Sequence, residues 1–176
     1  MNLSFAFAEM VFYLAGLIAI VASLKVVTGQ NTVHALLYLV VSLLAVAVCF
    51  YLMGAPFAAG LEVIVYAGAI MVLFVFAVMM FGLTVDETKY APQATGLTIW
   101  FGPVILACIL LTILLFAINN AHIQQKLTVN IVDAKQVGRL LYGAYLLAVE
   151  IASFLLLAGL IVGYHFGKPE GKGVHK

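Results

Sequence analysis

Three acidic residues lie within or beside long apolar stretches of the 176-residue sequence: Glu9, Glu62 and Glu150. A carboxylate in apolar surroundings is costly to bury, so such residues often mark proton paths or bonds between helices. Tyr66 follows Glu62 by one helical turn, and its hydroxyl can bond the carboxylate or a water molecule beside it. The chemistry that these residues predict is therefore proton transfer or polar bonding, not nucleophilic attack.

Each acid also has a structural interpretation. Glu62 stands near the start of an apolar run, where the helix macrodipole favours a negative charge. Glu150 lies deeper in its run and suits a hydrogen bond to another helix, whereas Glu9 suits a membrane interface. The residues alone leave the proton-path and structural interpretations open.

Small residues follow Glu62 in the stretch Tyr66-Ala67-Gly68-Ala69. Glycine weakens a helix locally and permits a close neighbour or a bulge. The stretch therefore allows a one-turn π-bulge, a feature that often marks a functional site.

A second group of small residues forms a stripe near the carboxyl end at helical spacing. It contains Ala144, Ala148, Ala152, Gly159 and Gly163. Small residues on one helix face let another backbone approach closely, which predicts helix packing in a membrane.

The sequence predicts no catalytic, cofactor-binding or metal-binding residues. Cys49 and Cys108 lack CxxC spacing, and the four histidines lack metal-ligand spacing. Dinucleotide-binding, phosphate-binding and nucleophile-elbow motifs are also missing.

The composition requires a lipid environment for these residues. Hydrophobic residues make up 66% of the sequence and charged residues 9%, with a mean hydropathy of +1.22. Soluble domains carry about 25% charged residues, so this chain cannot cover a surface that faces water. The net charge of +1 and the scattered lysines argue against nucleic acid as a partner.

The apolar runs predict an all-α membrane protein with five transmembrane helices in a single domain, residues 1–166. The predicted spans are Phe5–Leu24, Val33–Met53, Leu61–Leu83, Leu97–Ile118 and Leu140–Tyr164. Residues 119–139 form the longest predicted loop, and residues 167–176 form a polar tail that we expect to be mobile.

The positive-inside rule predicts a periplasmic amino terminus and a cytoplasmic carboxyl terminus. Five spans place the amino terminus, the loop at 54–60 and the loop at 119–139 on one side. That side carries three basic residues, Lys126, Lys135 and Arg139. The opposite side carries five, Lys25, Lys89, Lys168, Lys172 and Lys176.

Three stretches resemble a known family. They are NTVHALLYLVVSLLAVAV at 31–48, GLEVIVYAGAIMVLFVFAVMM at 60–80 and YLLAVEIASFLLLAGLIVGYH at 145–165. They resemble the J subunit of the bacterial proton-pumping NADH:quinone oxidoreductase, respiratory complex I, which is the counterpart of the sixth mitochondrial ND subunit. The similarity extends over roughly residues 10–166, and the middle stretch is the most specific.

The resemblance implies a non-redox core subunit of the bacterial inner membrane that couples quinone reduction to proton translocation. It implies a π-bulge at Tyr66, Ala67 and Gly68, whose rotation gates a hydrated path, and an acid in that helix at the position of Glu62. Glu150 is a second candidate for the proton path on the residues alone, because it is an acid within an apolar run. The resemblance also implies the A, H, K and N membrane subunits as neighbours. The NADH, FMN, iron–sulfur clusters and quinone of the whole complex would be bound outside this chain.

Two other functions remain open at this point. The chain can serve as an assembly scaffold in the same complex, with its acids acting only as interhelical hydrogen bonds. It can also be an autonomous transporter or channel, although its small size and lack of internal repeats disfavour that function.

Overall fold

A computed structural model describes residues 2–29, 32–80, 98–119 and 132–167. The described residues form six helices and no strands. The helices are α1 (Asn2–Thr28), α2 (Thr32–Leu52), α3 (Pro56–Met80), α4 (Thr98–Asn119), α5 (Ala134–Leu141) and α6 (Leu146–Gly167). Five of them, all except α5, are long and apolar enough to cross a membrane, which confirms the predicted all-α class with five spans.

The chain divides into two compact units, residues 1–132 and 133–176. In the first unit, α2 is the central helix and packs against α1, α3 and α4. Its core is built mostly from small and β-branched residues such as Ala15, Ala22, Ala45 and Val48, all nearly inaccessible. Because alanine permits close approach, these residues let α1 and α2 pack tightly without a hydrophobic drive between them.

Three contacts hold α2 against its neighbours, two hydrogen bonds to α1 and one close approach to α4. The Ser23 and Ser42 hydroxyls lie 2.9 Å apart, and the Ser42 hydroxyl also donates to the Ala19 carbonyl of α1 at 3.1 Å. On another side, Tyr38 packs so closely on α4 that a Cβ at Gly102 would overlap its hydroxyl. These contacts hold α2 against α1 and α4, and α3 packs against α2.

The turn between α2 and α3 is a Schellman motif centred on Gly54. The Gly54 N–H donates to the Tyr51 carbonyl and the Ala55 N–H to the Phe50 carbonyl, each at 3.1 Å. Gly54 has a φ of 81°, which a side chain would strain. Pro56 then begins α3, where its fixed φ suits the first helical turn.

The Val132 N–H donates to the Gly54 carbonyl at 3.1 Å. Val132 belongs to the predicted loop at 119–139, and Gly54 to the predicted loop at 54–60. The bond therefore places parts of both connections at the same end of the bundle, as a five-span arrangement requires.

The second unit contains α5 and α6, which are separated by a turn at residues 142–145. Gly143 permits this turn, because a Cβ there would approach the Arg139 carbonyl to 2.7 Å. The fifth span was predicted to run from Leu140 as one helix, and that boundary is wrong: the spanning helix begins at Leu146. Part of the predicted loop at 119–139 is also helical, since α5 begins at Ala134.

The other predicted spans agree with α1 to α4 to within a few residues. The main difference is at α3, which begins at Pro56 and not at Leu61. The predicted tail at 167–176 lies outside the described residues except for Gly167. The prediction of a single domain at 1–166 stays a prediction.

Candidate functional site

The middle of α3 departs from regular α-helix geometry. Residues Pro56–Leu61 and Met71–Met80 are α-helical, but Glu62–Ile70 form a π-helix nine residues long. At its end, the Met71 N–H donates to the carbonyls of Gly68 and Tyr66, the second of which is five residues earlier. A π-helical stretch interrupts the regular i→i−4 hydrogen bonds of an α-helix, and such stretches are often found at functional sites. The sequence allowed a one-turn bulge at Tyr66-Ala67-Gly68, and the structure contains a longer one around the same residues.

Glu62 is the buried acid of this segment, with 9% of its surface exposed. The π-helix packs against α2, so Glu62 lies on the side of α3 that α2 covers. Because α3 begins at Pro56, Glu62 stands about 9 Å along the helix at 1.5 Å per residue. The macrodipole acts mainly within the first turn, so the interpretation of Glu62 as a helix-start acid loses its support.

The π-helix also decides which residues share the face of Glu62. Met71 is 2% exposed and lies on the same covered side. In a regular α-helix, nine steps of about 100° would place these two side chains on opposite faces. With i→i+5 bonds and about 4.4 residues per turn, nine steps return to within about 20° of the starting face. Burial of both Glu62 and Met71 thus depends on the π-helical form.

Tyr66 does not share this burial. Its side chain is 52% exposed, and among the described residues it forms no hydrogen bond with the Glu62 carboxylate. Ala67 and Gly68 are half-buried. A Cβ at Gly68 would lie 3.2 Å from the Val63 carbonyl, one π-turn earlier, so glycine relieves crowding inside the segment.

The other two acids lie on exposed faces. Glu9 is exposed on α1, in the first unit. Glu150 is exposed on α6, in the second unit, and its backbone carbonyl accepts a hydrogen bond of 2.7 Å from the Ser153 hydroxyl. The role of Glu150 in a proton path stays a prediction.

The small-residue stripe is also exposed in the second unit. Ala148, Ala152, Gly159 and Gly163 lie on α6, where no residue is buried. Ala144 lies in the preceding turn and is therefore outside the helix that carries the other four. The predicted packing role of the stripe stays a prediction.

Two buried residues were not singled out from the sequence. They are Met71, which directly follows the π-helix, and Ser42 on α2, which is 5% exposed and bonds α1. A serine within an otherwise apolar span is a usable signal, since such hydroxyls usually bond a neighbouring helix. Met71 has no comparable signal, because its burial follows from a local change in helix period.

The chemistry that the Glu62 carboxylate can perform in this segment is the binding and release of a proton. Glu62 can accept a proton from one side and release it to another, provided that water reaches it. Within the described part of the chain, no three His, Cys, Asp or Glu residues group closely enough to hold a metal ion.

The fold and site define a polytopic membrane protein whose third span carries a buried acid in a π-helix. A family model described as NADH-ubiquinone/plastoquinone oxidoreductase chain 6 matches residues 22–166. The chain therefore belongs to the family of chain 6, or subunit J, of NADH-quinone oxidoreductase.

Curated relatives match over nearly the whole chain. Subunit J of NADH-quinone oxidoreductase from Escherichia coli strain K12 is 51% identical over 94% of this chain and 89% of that protein. Subunit J from Pseudomonas aeruginosa is 49% identical over 93% of this chain and 99% of its own length. Subunit J from Buchnera aphidicola of Schizaphis graminum is 42% identical over 91% of this chain and 98% of its own length.

These matches confirm the predicted resemblance. The chain is a membrane subunit of complex I, its partners include other subunits of that complex, and it is a multi-pass protein of the bacterial inner membrane.

Proposed function

We propose that this subunit couples quinone reduction elsewhere in the complex to proton translocation, with α3 acting as a gate. The observation that carries the proposal is the π-helix Glu62–Ile70 with its buried acid. An acid within a membrane helix is expected to have a function, and a π-helix is a backbone form that can return to α-helix.

The gate works by rotation of one half of α3 against the other. In the π-helical form, Glu62 and Met71 both face α2. Return to regular α-helix would turn Met71 through roughly 160° relative to Glu62. Met71 would then leave α2, and the space beside Glu62 would admit water that carries protons to and from the carboxylate.

The subunit itself binds none of the NADH, FMN, iron–sulfur clusters or quinone of the complex, and it contains no complete active site. Its neighbours are the A, H, K and N membrane subunits. Its amino terminus is periplasmic and its carboxyl terminus cytoplasmic, which the distribution of basic residues supports.

The test is a comparison of Glu62→Gln with Glu150→Gln in the assembled complex. Glutamine keeps the size of glutamate but cannot carry a proton. We expect Glu62→Gln to lower NADH-driven proton translocation in membrane vesicles several-fold at wild-type levels of complex. Proton translocation equal to wild type in both variants would refute the proton-path role.

A second candidate function is that of an assembly scaffold. The observation that favours it is the exposed stripe Ala148, Ala152, Gly159 and Gly163 on α6, which suits close contact with a helix of another subunit. A scaffold predicts that Ala152→Leu abolishes assembly, whereas Glu62→Gln and Glu150→Gln leave turnover and pumping unchanged. Native gels and pumping assays on the same membranes distinguish the two functions.

A further inference from the structure

The short helix α5 has two distinct faces. Its apolar side chains, Val137, Leu140 and Leu141, fall on one side at helical spacing. Lys135 and Arg139, four residues apart, fall together on the other side. The segment therefore combines a continuous apolar surface with a basic one within two turns.

The basic face has no acidic partner on α5 itself. Lys135 and Arg139 are both exposed, and Asp133 serves as the helix cap, its Oδ1 accepting a 2.8 Å bond from the Ala134 N–H. On the apolar face, Leu140 and Leu141 are 55% and 41% exposed. Val137, the third residue of the apolar face, is half-buried. The basic face and the Leu140 and Leu141 part of the apolar face thus remain available to surroundings outside the second unit.

The connection to α6 indicates what those surroundings are. The turn at residues 142–145 joins the carboxyl end of α5 directly to a spanning helix, so α5 ends close to the point where that span meets the membrane surface. Tyr142 and Tyr145 flank the turn and are both exposed. Tyrosines are enriched at the level of lipid headgroups, where the ring is apolar and the hydroxyl is wet.

We propose that α5 lies in the plane of the membrane interface as a lipid-binding helix. Val137, Leu140 and Leu141 enter the boundary of the acyl chains, and Lys135 and Arg139 bind the phosphates of anionic headgroups. Lipid is the occupant that fits because an apolar face, a basic face and an adjoining span meet within a few residues. The helix would then hold the entry of α6 at a fixed depth.

The first test measures the depth of each face in vesicles containing the full-length chain. Trp100 is the sole tryptophan, so Trp100→Phe gives a chain without tryptophan fluorescence. Into it we place Leu141→Trp on the apolar face or, as a matched control, Gln136→Trp, at an exposed position about 140° around the helix from Leu141. We expect lipids brominated near the glycerol end to quench Leu141→Trp several-fold more than Gln136→Trp, and aqueous acrylamide to do the reverse.

The second test concerns headgroup charge. Each basic residue near an anionic surface strengthens binding by about fivefold. Adding phosphatidylglycerol to phosphatidylcholine vesicles should increase bromolipid quenching of Leu141→Trp, and Lys135→Gln with Arg139→Gln should abolish the increase. No response to phosphatidylglycerol in the unneutralised chain would overturn the headgroup assignment.

Two further outcomes would overturn the lipid assignment as a whole. Equal quenching at both tryptophan positions would mean that α5 has no fixed orientation in the interface. Protection of Leu141→Trp from both bromolipid and acrylamide would place this face against protein. Far-ultraviolet circular dichroism of each variant confirms that the helices are retained.

Discussion

Replacing Gly68 by alanine should shift α3 from the π-helical to the regular form. A Cβ at this position would lie 3.2 Å from the Val63 carbonyl oxygen, which is shorter than the 3.4–4 Å of ordinary contact. Alanine also favours a regular helix over glycine by about 1 kcal/mol. The contact and the propensity act in the same direction, so the ratio of the two forms should change by fivefold or more.

The assay is NADH-driven proton uptake in membrane vesicles, followed by a pH-sensitive dye and normalised to the amount of assembled complex. If the gate must pass through both forms, Gly68→Ala should lower the rate of proton uptake about fivefold. Assembly should remain near wild type, because Gly68 is only half-buried and the added methyl group is small.

Gly60→Ala is the matched control. It lies in the same helix, gains the same helix propensity, and a Cβ there meets nothing within 4 Å. It should pump as wild type does. Wild-type pumping by Gly68→Ala, or an equal loss in both variants, would refute the assignment of a switch to the π-helix.

Three other substitutions test neighbouring contacts. Tyr66→Phe should reduce pumping without reducing assembly, since Tyr66 is 52% exposed and the change removes only its hydroxyl; unchanged pumping would show that the hydroxyl is not part of the path. Ser42→Ala removes the bonds to Ser23 and the α1 backbone and should lower the unfolding free energy in detergent by about 1 kcal/mol. Thr112→Ala is the comparison, because its hydroxyl bonds the Cys108 carbonyl within one helix. An equal loss of unfolding free energy in the two variants would contradict a stabilising role for the Ser42 bonds between helices. Gly102→Ala should cost about 1–3 kcal/mol by overpacking against Tyr38. Adding Tyr38→Phe should recover part of that cost, and strict additivity in thermal unfolding would show that the two residues do not touch.

The number of spans and the position of most of their ends follow from hydropathy alone, because lipid requires long apolar helices. The face of α3 that packs on α2 does not. A regular period from Glu62 predicts that Tyr66, Leu73 and Phe76 share its face, yet all three are largely exposed and Met71 is buried instead. The π-helix changes the number of residues per turn, and a prediction of which side chains share a face depends on that number.

The break before α6 was missed for a related reason. Residues 140–164 contain no proline, so hydropathy treats them as one run. The informative residue is Gly143, where the Arg139 carbonyl approaches too closely for any side chain. Glycine within an apolar span is common, however, and Gly159 lies in α6 with open space around it. Only the backbone distinguishes the two positions.

The π-helix in α3 also affects the length of that helix. A helix with more residues per turn is wider and rises less per residue, so Glu62–Ile70 make α3 shorter than a regular helix of the same sequence. The proposed return to α-helix would lengthen the span by roughly a few ångström. A thicker bilayer should then favour the regular form and a thinner one the π-helical form, because a span adapts its apolar length to the membrane. Proton translocation by the reconstituted complex should therefore depend on acyl-chain length, and Gly68→Ala should shift that dependence toward thinner membranes.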